Sequence, residues 1–124
     1  MRVLLDTHLL LWALAQPAKL PAKARKLIEG AEVMVSAASI WEIGIKSALG
    51  KLTLGPRAIL AAVEPTGFSL LAVTCEHAAK VSELPPLHRD PFDRMLVAQA
   101  LCEPLILLTN DHVLGGYGSC VTLV

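Results

Sequence analysis

The sequence predicts an α/β fold: a three-layer sandwich with a mainly parallel central sheet flanked by helices, in a single domain over residues 1–124. Three observations carry this. Short aliphatic runs, Val3-Leu4-Leu5, Val33-Met34-Val35 and Leu105-Ile106-Leu107-Leu108, have the length and bounding of buried strands. Segments with helical caps and stops alternate with them, as a sandwich around a parallel sheet requires. Nothing repeats, no stretch is low in complexity, and no linker divides the chain.

Each element follows in order. Arg2–Leu5 reads as the first strand, closed by Asp6-Thr7. Residues 8–14 turn into a helix that Gln16-Pro17 stops. Residues 20–30 form a second helix, with Pro21 in its first turn, Lys23, Arg25 and Lys26 facing water, and Gly30 as its cap. A buried strand follows over residues 33–36. Ser39 is the expected N-cap of a helix over residues 40–49, with Gly50 closing it. Pro56–Val63 is a further helix and residues 68–73 are strand-like. Thr74 caps a helix over residues 75–84 that Pro85-Pro86 ends, and Asp90 caps Pro91–Cys102. Residues 105–109 form the strongest strand, and residues 120–124 close the chain.

Hydrophobic residues make up 54% of the chain, which excludes disorder as a whole-chain description. With only 4% aromatic content, the excess is aliphatic surface expected to be buried against another chain. Lys+Arg balances Asp+Glu at 11 each, so there is no global basic field and a nucleic acid would have to be held by a local patch. The three cysteines, Cys75, Cys102 and Cys120, lack metal-ligand spacing and read as reduced thiols of a cytoplasmic protein. Residues 9–15 imitate the apolar part of a signal peptide. Asp6 and His8 break the stretch just before it, and the apolar run is too short to span a bilayer, so no targeting or membrane segment is expected.

The placement of the acids carries the functional reading. Asp6 and Asp111 follow predicted strands, Glu42 lies early in a helix, and Asp90 and Asp93 open another. In a parallel α/β sheet these positions share one rim, where ligands bind. Carboxylates gathered there repel unless a cation joins them, and an oxygen-rich set suits Mg²⁺ or Mn²⁺.

Each acid also has an ordinary explanation. Asp6 fits a helix N-cap, worth ~1 kcal/mol. Glu42 can pair with Lys46 one turn on, worth ~0.3–0.5 kcal/mol when exposed. Its neighbours Ile40, Trp41, Ile43 and Ile45 are apolar, however, so the helix is expected to be buried and the carboxylate to need a partner. Asp90 before Pro91 is a favoured cap, Asp93 gains from the helix dipole, and Asp111 suits a turn. Taken together, chance explains their common rim poorly.

His8, His77, His88 and His112 show no zinc spacing. They read as packing or hydrogen-bonding groups, with His8 and His112 close in sequence to candidate acids. No dinucleotide fingerprint, phosphate loop or nucleophile elbow occurs, and Gly115-Gly116-Tyr117-Gly118 reads as a flexible turn.

Over essentially its whole length the chain resembles a PIN-domain ribonuclease of the VapC type, the toxin of prokaryotic toxin–antitoxin pairs. Val3-Leu4-Leu5-Asp6-Thr7-His8 is similar to that family's first strand and first acid. Ser39-Ile40-Trp41-Glu42-Ile43 is similar to its Ser-x-x-Glu helix. His88-Arg89-Asp90-Pro91-Phe92-Asp93-Arg94-Met95-Leu96 is similar to a segment of one VapC branch, and Leu108-Thr109-Asn110-Asp111 to its Thr-x-Asp. The resemblance implies that Asp6, Glu42, Asp93 and Asp111 form the acidic quartet, that Asp90 is a secondary acid, and that Thr109 supports the site. It also implies hydrolysis of RNA phosphodiester bonds with Mg²⁺ or Mn²⁺, a homodimer, and a tight complex with an antitoxin protein. Arg89, Arg94 and Lys46 are near enough in sequence to the acids to meet substrate phosphates, and helix-surface solvation explains the two arginines equally well.

Two rivals stand beside this. Another Mg²⁺-dependent phosphoryl-transfer enzyme would be expected to show Asp-x-Asp after its first strand, whereas this chain has Asp6-Thr7-His8. A catalytically silent PIN-like binding module would have no need to keep all four acids.

Overall fold

Alternation along the strands sorts the aliphatic side chains into two cores. The computed structural model, which describes all 124 residues, has strands β1 (Arg2–Leu5), β2 (Glu32–Ser36), β3 (Ser69–Leu71), β4 (Ile106–Thr109) and β5 (Val121–Leu123) in one sheet of order β3-β2-β1-β4-β5. Every pairing is parallel, with Val3 opposite Val33 and Ile106, and Leu4 opposite Met34 and Leu107. Val3, Leu5, Val33, Val35 and Leu108 therefore enter one core, and Leu4, Met34 and Leu107 the other.

Helices cover both faces. On one side lie α1 (Thr7–Ala15), α2 (Ala22–Glu29), α3 (Ala37–Ala48) and α4 (Pro56–Val63), contributing Leu9, Leu10, Ala24, Ile43, Ile59 and Val63 to the first core. On the other lie α5 (Cys75–Val81) and α6 (Pro91–Cys102), from which Leu96, Val97, Ala98 and Ala100 enter the second core, together with Leu114 of a 3-10 turn (Leu114–Tyr117). This is the predicted three-layer sandwich, with an entirely parallel sheet. No helix is long and apolar enough to cross a membrane.

The differences from expectation have local causes. Helix α3 starts three residues earlier than predicted, because the last residue of β2, Ser36, is itself the cap: its Oγ accepts the Ala38 N–H at 3.0 Å. Ser39 is instead a buried residue inside the helix. Helix α2 is shorter because residues Pro17–Lys19 form a separate 3-10 turn before it. Strand β3 is trimmed to three residues at the sheet edge, where Leu70 is 44% exposed. Predicted as flexible, the glycine-rich segment is a defined turn that packs on β5. A side chain at Gly115 would meet Leu123 Cδ1 at 3.1 Å, and Gly118, at φ +99, makes the reversal into the last strand.

The strand order positions the site. From β1 the chain proceeds to β2 and β3 on one side, then crosses to β4 on the other. The carboxyl ends of β1 and β4 thus diverge into a crevice, the place where parallel α/β sheets take ligands.

Candidate active site

Asp6 sits at that crevice, between β1 and α1. Its backbone N–H donates to the Leu108 carbonyl at 3.1 Å, anchoring it to β4. One carboxylate oxygen caps α1 by accepting the Leu9 N–H at 2.8 Å, and the other accepts the Thr109 hydroxyl at 2.5 Å. Capping and cluster membership are therefore compatible, one oxygen serving each. The side chain is buried, and burial raises its pKa above 3.8 against the pull of the Thr109 and Leu9 hydrogen bonds.

Glu42 points in from α3 and is 4% exposed. Oε1 accepts the Thr7 hydroxyl at 2.7 Å, and Oε2 lies 2.7 Å from Lys46 Nζ. Thr7 Oγ1 is also 3.0 Å from Ser39 Oγ. Because Thr7 has one hydroxyl proton and the carboxylate can only accept, the Ser39 hydroxyl is the donor in that contact. Lys46 is held protonated by its hydrogen bond to Glu42, with Asp90 and Asp93 adding to the effect.

At the start of α6, Asp90 Oδ1 accepts the N–H groups of Phe92 and Asp93 at 2.8 and 3.1 Å, the predicted cap. Asp93, one turn in, has its pKa pushed up to about 7, first by burial and then by the charges of Asp90, Glu42 and Asp6. The helix dipole, which favours an anion there, does not offset this. Asp111 follows β4. Its N–H donates to Thr109 Oγ1 at 3.0 Å, and its Oδ1 accepts the Val113 N–H at 3.0 Å. Its Oδ2 is 2.8 Å from His88 Nε2. Burial pushes the Asp111 pKa up, but the hydrogen bonds from His88 and Val113 outweigh it and the carboxyl lies below 3.8.

All five predicted acids thus gather on one rim, and the same His88 nitrogen lies 3.4 Å from Asp93 Oδ2. One ligand atom each from His88, Asp93 and Asp111 fits within 4.8 Å. The donor set fits a hard divalent cation: it is dominated by carboxylates, and burial, followed by the neighbouring charges of Asp90, Glu42 and Asp6, raises the Asp93 pKa.

The basic residues divide. Lys46 faces the acids. Arg89 is exposed beside them. Arg94 does not meet the expectation of a phosphate contact. Its guanidinium is committed to the Pro85 carbonyl at 3.1 Å, the Tyr117 hydroxyl at 3.2 Å and the Val81 carbonyl at 2.9 Å, tying α6 to the end of α5. His8 is exposed on α1, and the histidine that enters the site is His88. Thr7, Ser39 and His88 are the site residues that the sequence reading missed. Ser39 carried a usable signal, since it lies three residues before Glu42 and shares its helix face.

Beside the acids, a cleft of about 510 Å³ runs between α3, α5 and α6, with Ala37, Ala38, Trp41, Val73, Phe92 and Met95 among its lining residues. Trp41 and Phe92, each preceding an acid, meet edge to face at 5.2 Å.

The family model for the PIN domain matches residues 3–117. Curated protein sequences give no match. Among solved structures, the chain is similar to VapBC2 from Rickettsia felis bound to a promoter DNA fragment, at 15% identity and TM-score 0.71, covering 100% of this chain and 98% of that one. It is also similar to a toxin–antitoxin complex from Klebsiella pneumoniae (16%, 0.66, 97% and 95%). A third similar structure is VapBC-5 from Mycobacterium tuberculosis, of the VapBC family of toxin–antitoxin systems (20%, 0.59, 99% and 97%).

Proposed function

The chain belongs to the PIN-domain family, and on that premise we propose that it is a metal-dependent ribonuclease and the toxin of a toxin–antitoxin pair. The observation that carries the reading is the gathering of Asp6, Glu42, Asp90, Asp93 and Asp111 at one crevice, with Asp90, Glu42 and Asp6 close enough to add to the burial that raises the Asp93 pKa. Such a cluster has an unmet demand for positive charge at the sheet's ligand-binding crevice.

In this reading Asp6, Glu42, Asp93 and Asp111 hold Mg²⁺ or Mn²⁺, with Asp90 as a secondary acid. The bound cation supplies Lewis-acid polarisation of the scissile phosphate and activation of the attacking water. The protein's part is to pre-organise the oxygens. Thr109 orients Asp6, and Thr7 and Lys46 orient Glu42. Lys46 keeps N–H donors to spare, and the exposed Arg89 offers a second cation, so these two suit the substrate's phosphates.

The apolar cleft beside the acids suits an antitoxin segment that is apolar on one side and presents a cation to the carboxylates. Trp41 and Ile45 of α3 and Leu49, its C-cap, form an i, i+4, i+8 stripe at 67, 38 and 64% exposure, and this stripe supports burial in a homodimer or against the antitoxin. Helices α1 and α2 leave no large apolar side chain so exposed, because theirs pack into or against the first core.

Incubating the protein with single-stranded RNA, with Mg²⁺ or Mn²⁺ and then with excess chelator, tests the activity. Cleavage that starts with the metal and stops with the chelator is the expected result. Cleavage indifferent to the chelator, or none with either metal, would refute it.

A further inference from the structure

Three groups surround the His88 ring, and together they determine which nitrogen carries its proton. The Asp90 backbone N–H donates to Nδ1 at 3.0 Å. That nitrogen is therefore an acceptor, and the ring's proton belongs on Nε2. Nε2 faces Asp111 Oδ2 at 2.8 Å and Asp93 Oδ2 at 3.4 Å. Both are acceptors. The ring is pinned from behind: the His88 N–H donates to the Tyr117 hydroxyl at 3.1 Å, and that hydroxyl donates to the Pro85 carbonyl at 3.0 Å.

We propose that His88 is a positioning residue and not a metal ligand: its Nε2–H holds Asp111 against the acid cluster, and the Asp90 backbone fixes the tautomer that lets it do so. The distances alone would equally group His88 with Asp93 and Asp111 as three ligands. Chemistry separates the two readings. To ligate through Nε2, a neutral ring must move its proton to Nδ1, where it would point at the Asp90 N–H and replace a hydrogen bond with a donor–donor clash. The segment Leu87–Asp90 thus links two acids in one device. The residue that caps α6 also orients, through its backbone, the ring that orients Asp111.

The proposal rests on the acids being a cation site, but its first test does not. Long-range ¹⁵N–¹H correlation of the metal-free protein should show His88 as the Nε2–H tautomer, unchanged on addition of Mg²⁺. An Nδ1–H tautomer, or loss of the Nε2 proton when Mg²⁺ binds, would overturn it. If the wild-type protein binds no divalent cation, the nuclease reading fails and the tautomer still decides the Asp111 contact. The second test uses two partial mimics of the ring. His88→Gln places an amide N–H at the ε position, whereas His88→Asn ends at the δ position, where its oxygen can accept the Asp90 N–H but its NH2 falls short of Asp111. Titration with Mn²⁺ should find Gln near wild type and Asn weakened by about ten- to a hundredfold, the usual effect of losing a group that orients a ligand. Equal losses, or the reverse order, contradict the proposal.

Discussion

The Thr109 hydroxyl donates to Asp6 Oδ2 at 2.5 Å, joining residues 103 positions apart across the boundary between β4 and β1. Thr109 is fully buried and its oxygen also accepts the Asp111 N–H at 3.0 Å, so one hydroxyl sets the spacing of two acids. Thr109→Val keeps the shape and removes both bonds. Leaving a buried carboxylate oxygen without its donor costs about 1–3 kcal/mol. Urea denaturation should show that loss, and Mn²⁺ affinity should fall, whereas Thr109→Ser keeps the hydroxyl and both properties.

The metal-free protein should lose stability as pH rises from about 4 to about 7. Asp93 has its pKa raised from 3.8 to about 7 by burial and neighbouring charge. Over that window the unfolded chain has released a proton that the folded chain still holds, so deprotonation favours unfolding. Asp6, also raised, acts in the same direction. Thermal midpoints in chelator should fall across the window, flatten above it, and vary less with pH in Asp93→Asn. Saturating Mg²⁺ should remove most of the decline, because the cation binds the ionised acids of the folded state.

Asp90 separates capping from charge. Asp90→Asn keeps an oxygen for the Phe92 and Asp93 N–H groups and should leave the fold nearly as stable. Asp90→Ala removes the cap and should cost about 0.5–2 kcal/mol in denaturant. Both variants remove a charge that raises Asp93, so in both the pH-dependent decline should shift to lower pH.

The two arginines should part in the same way. Arg94→Ala breaks three hydrogen bonds to Pro85, Tyr117 and Val81, and should lower stability by about 1–3 kcal/mol with Mn²⁺ affinity retained. Arg89→Ala should leave the thermal midpoint in place and raise the KM for RNA. A stable Arg94→Ala with impaired RNA binding would reverse these roles.

Much of this site was legible because its signals are local. Asp90-Pro91 announces its own cap, and α6 spans the predicted residues. Asp6 and Asp111 follow aliphatic runs that could only be strands, so their common rim followed from the fold class. The supporting contacts were not legible. Thr7 reaches Glu42 from 35 positions away and His88 reaches Asp111 from 23, distances over which spacing carries no information. Arg94 misled for the same reason: closeness in sequence to Asp93 says nothing of the carbonyls that its long side chain finds across α5. Ser39 misled because a serine also suited the start of α3, and Ser36, already at the end of β2, took that position.

The central claim is that these acids form a cation site that hydrolyses RNA, and Asp93→Asn tests it most directly. Measured on single-stranded RNA in Mg²⁺, the variant should lose about a hundredfold or more in cleavage rate, since it removes a ligand charge where outer contacts alone are worth ten- to a hundredfold. In chelator at pH 8, above the Asp93 pKa of about 7, it should melt a few degrees higher than wild type, because it removes a buried charge and its repulsion by Asp90, Glu42 and Asp6. A variant that cuts RNA at the wild-type rate, or one that melts lower without metal, would contradict the account.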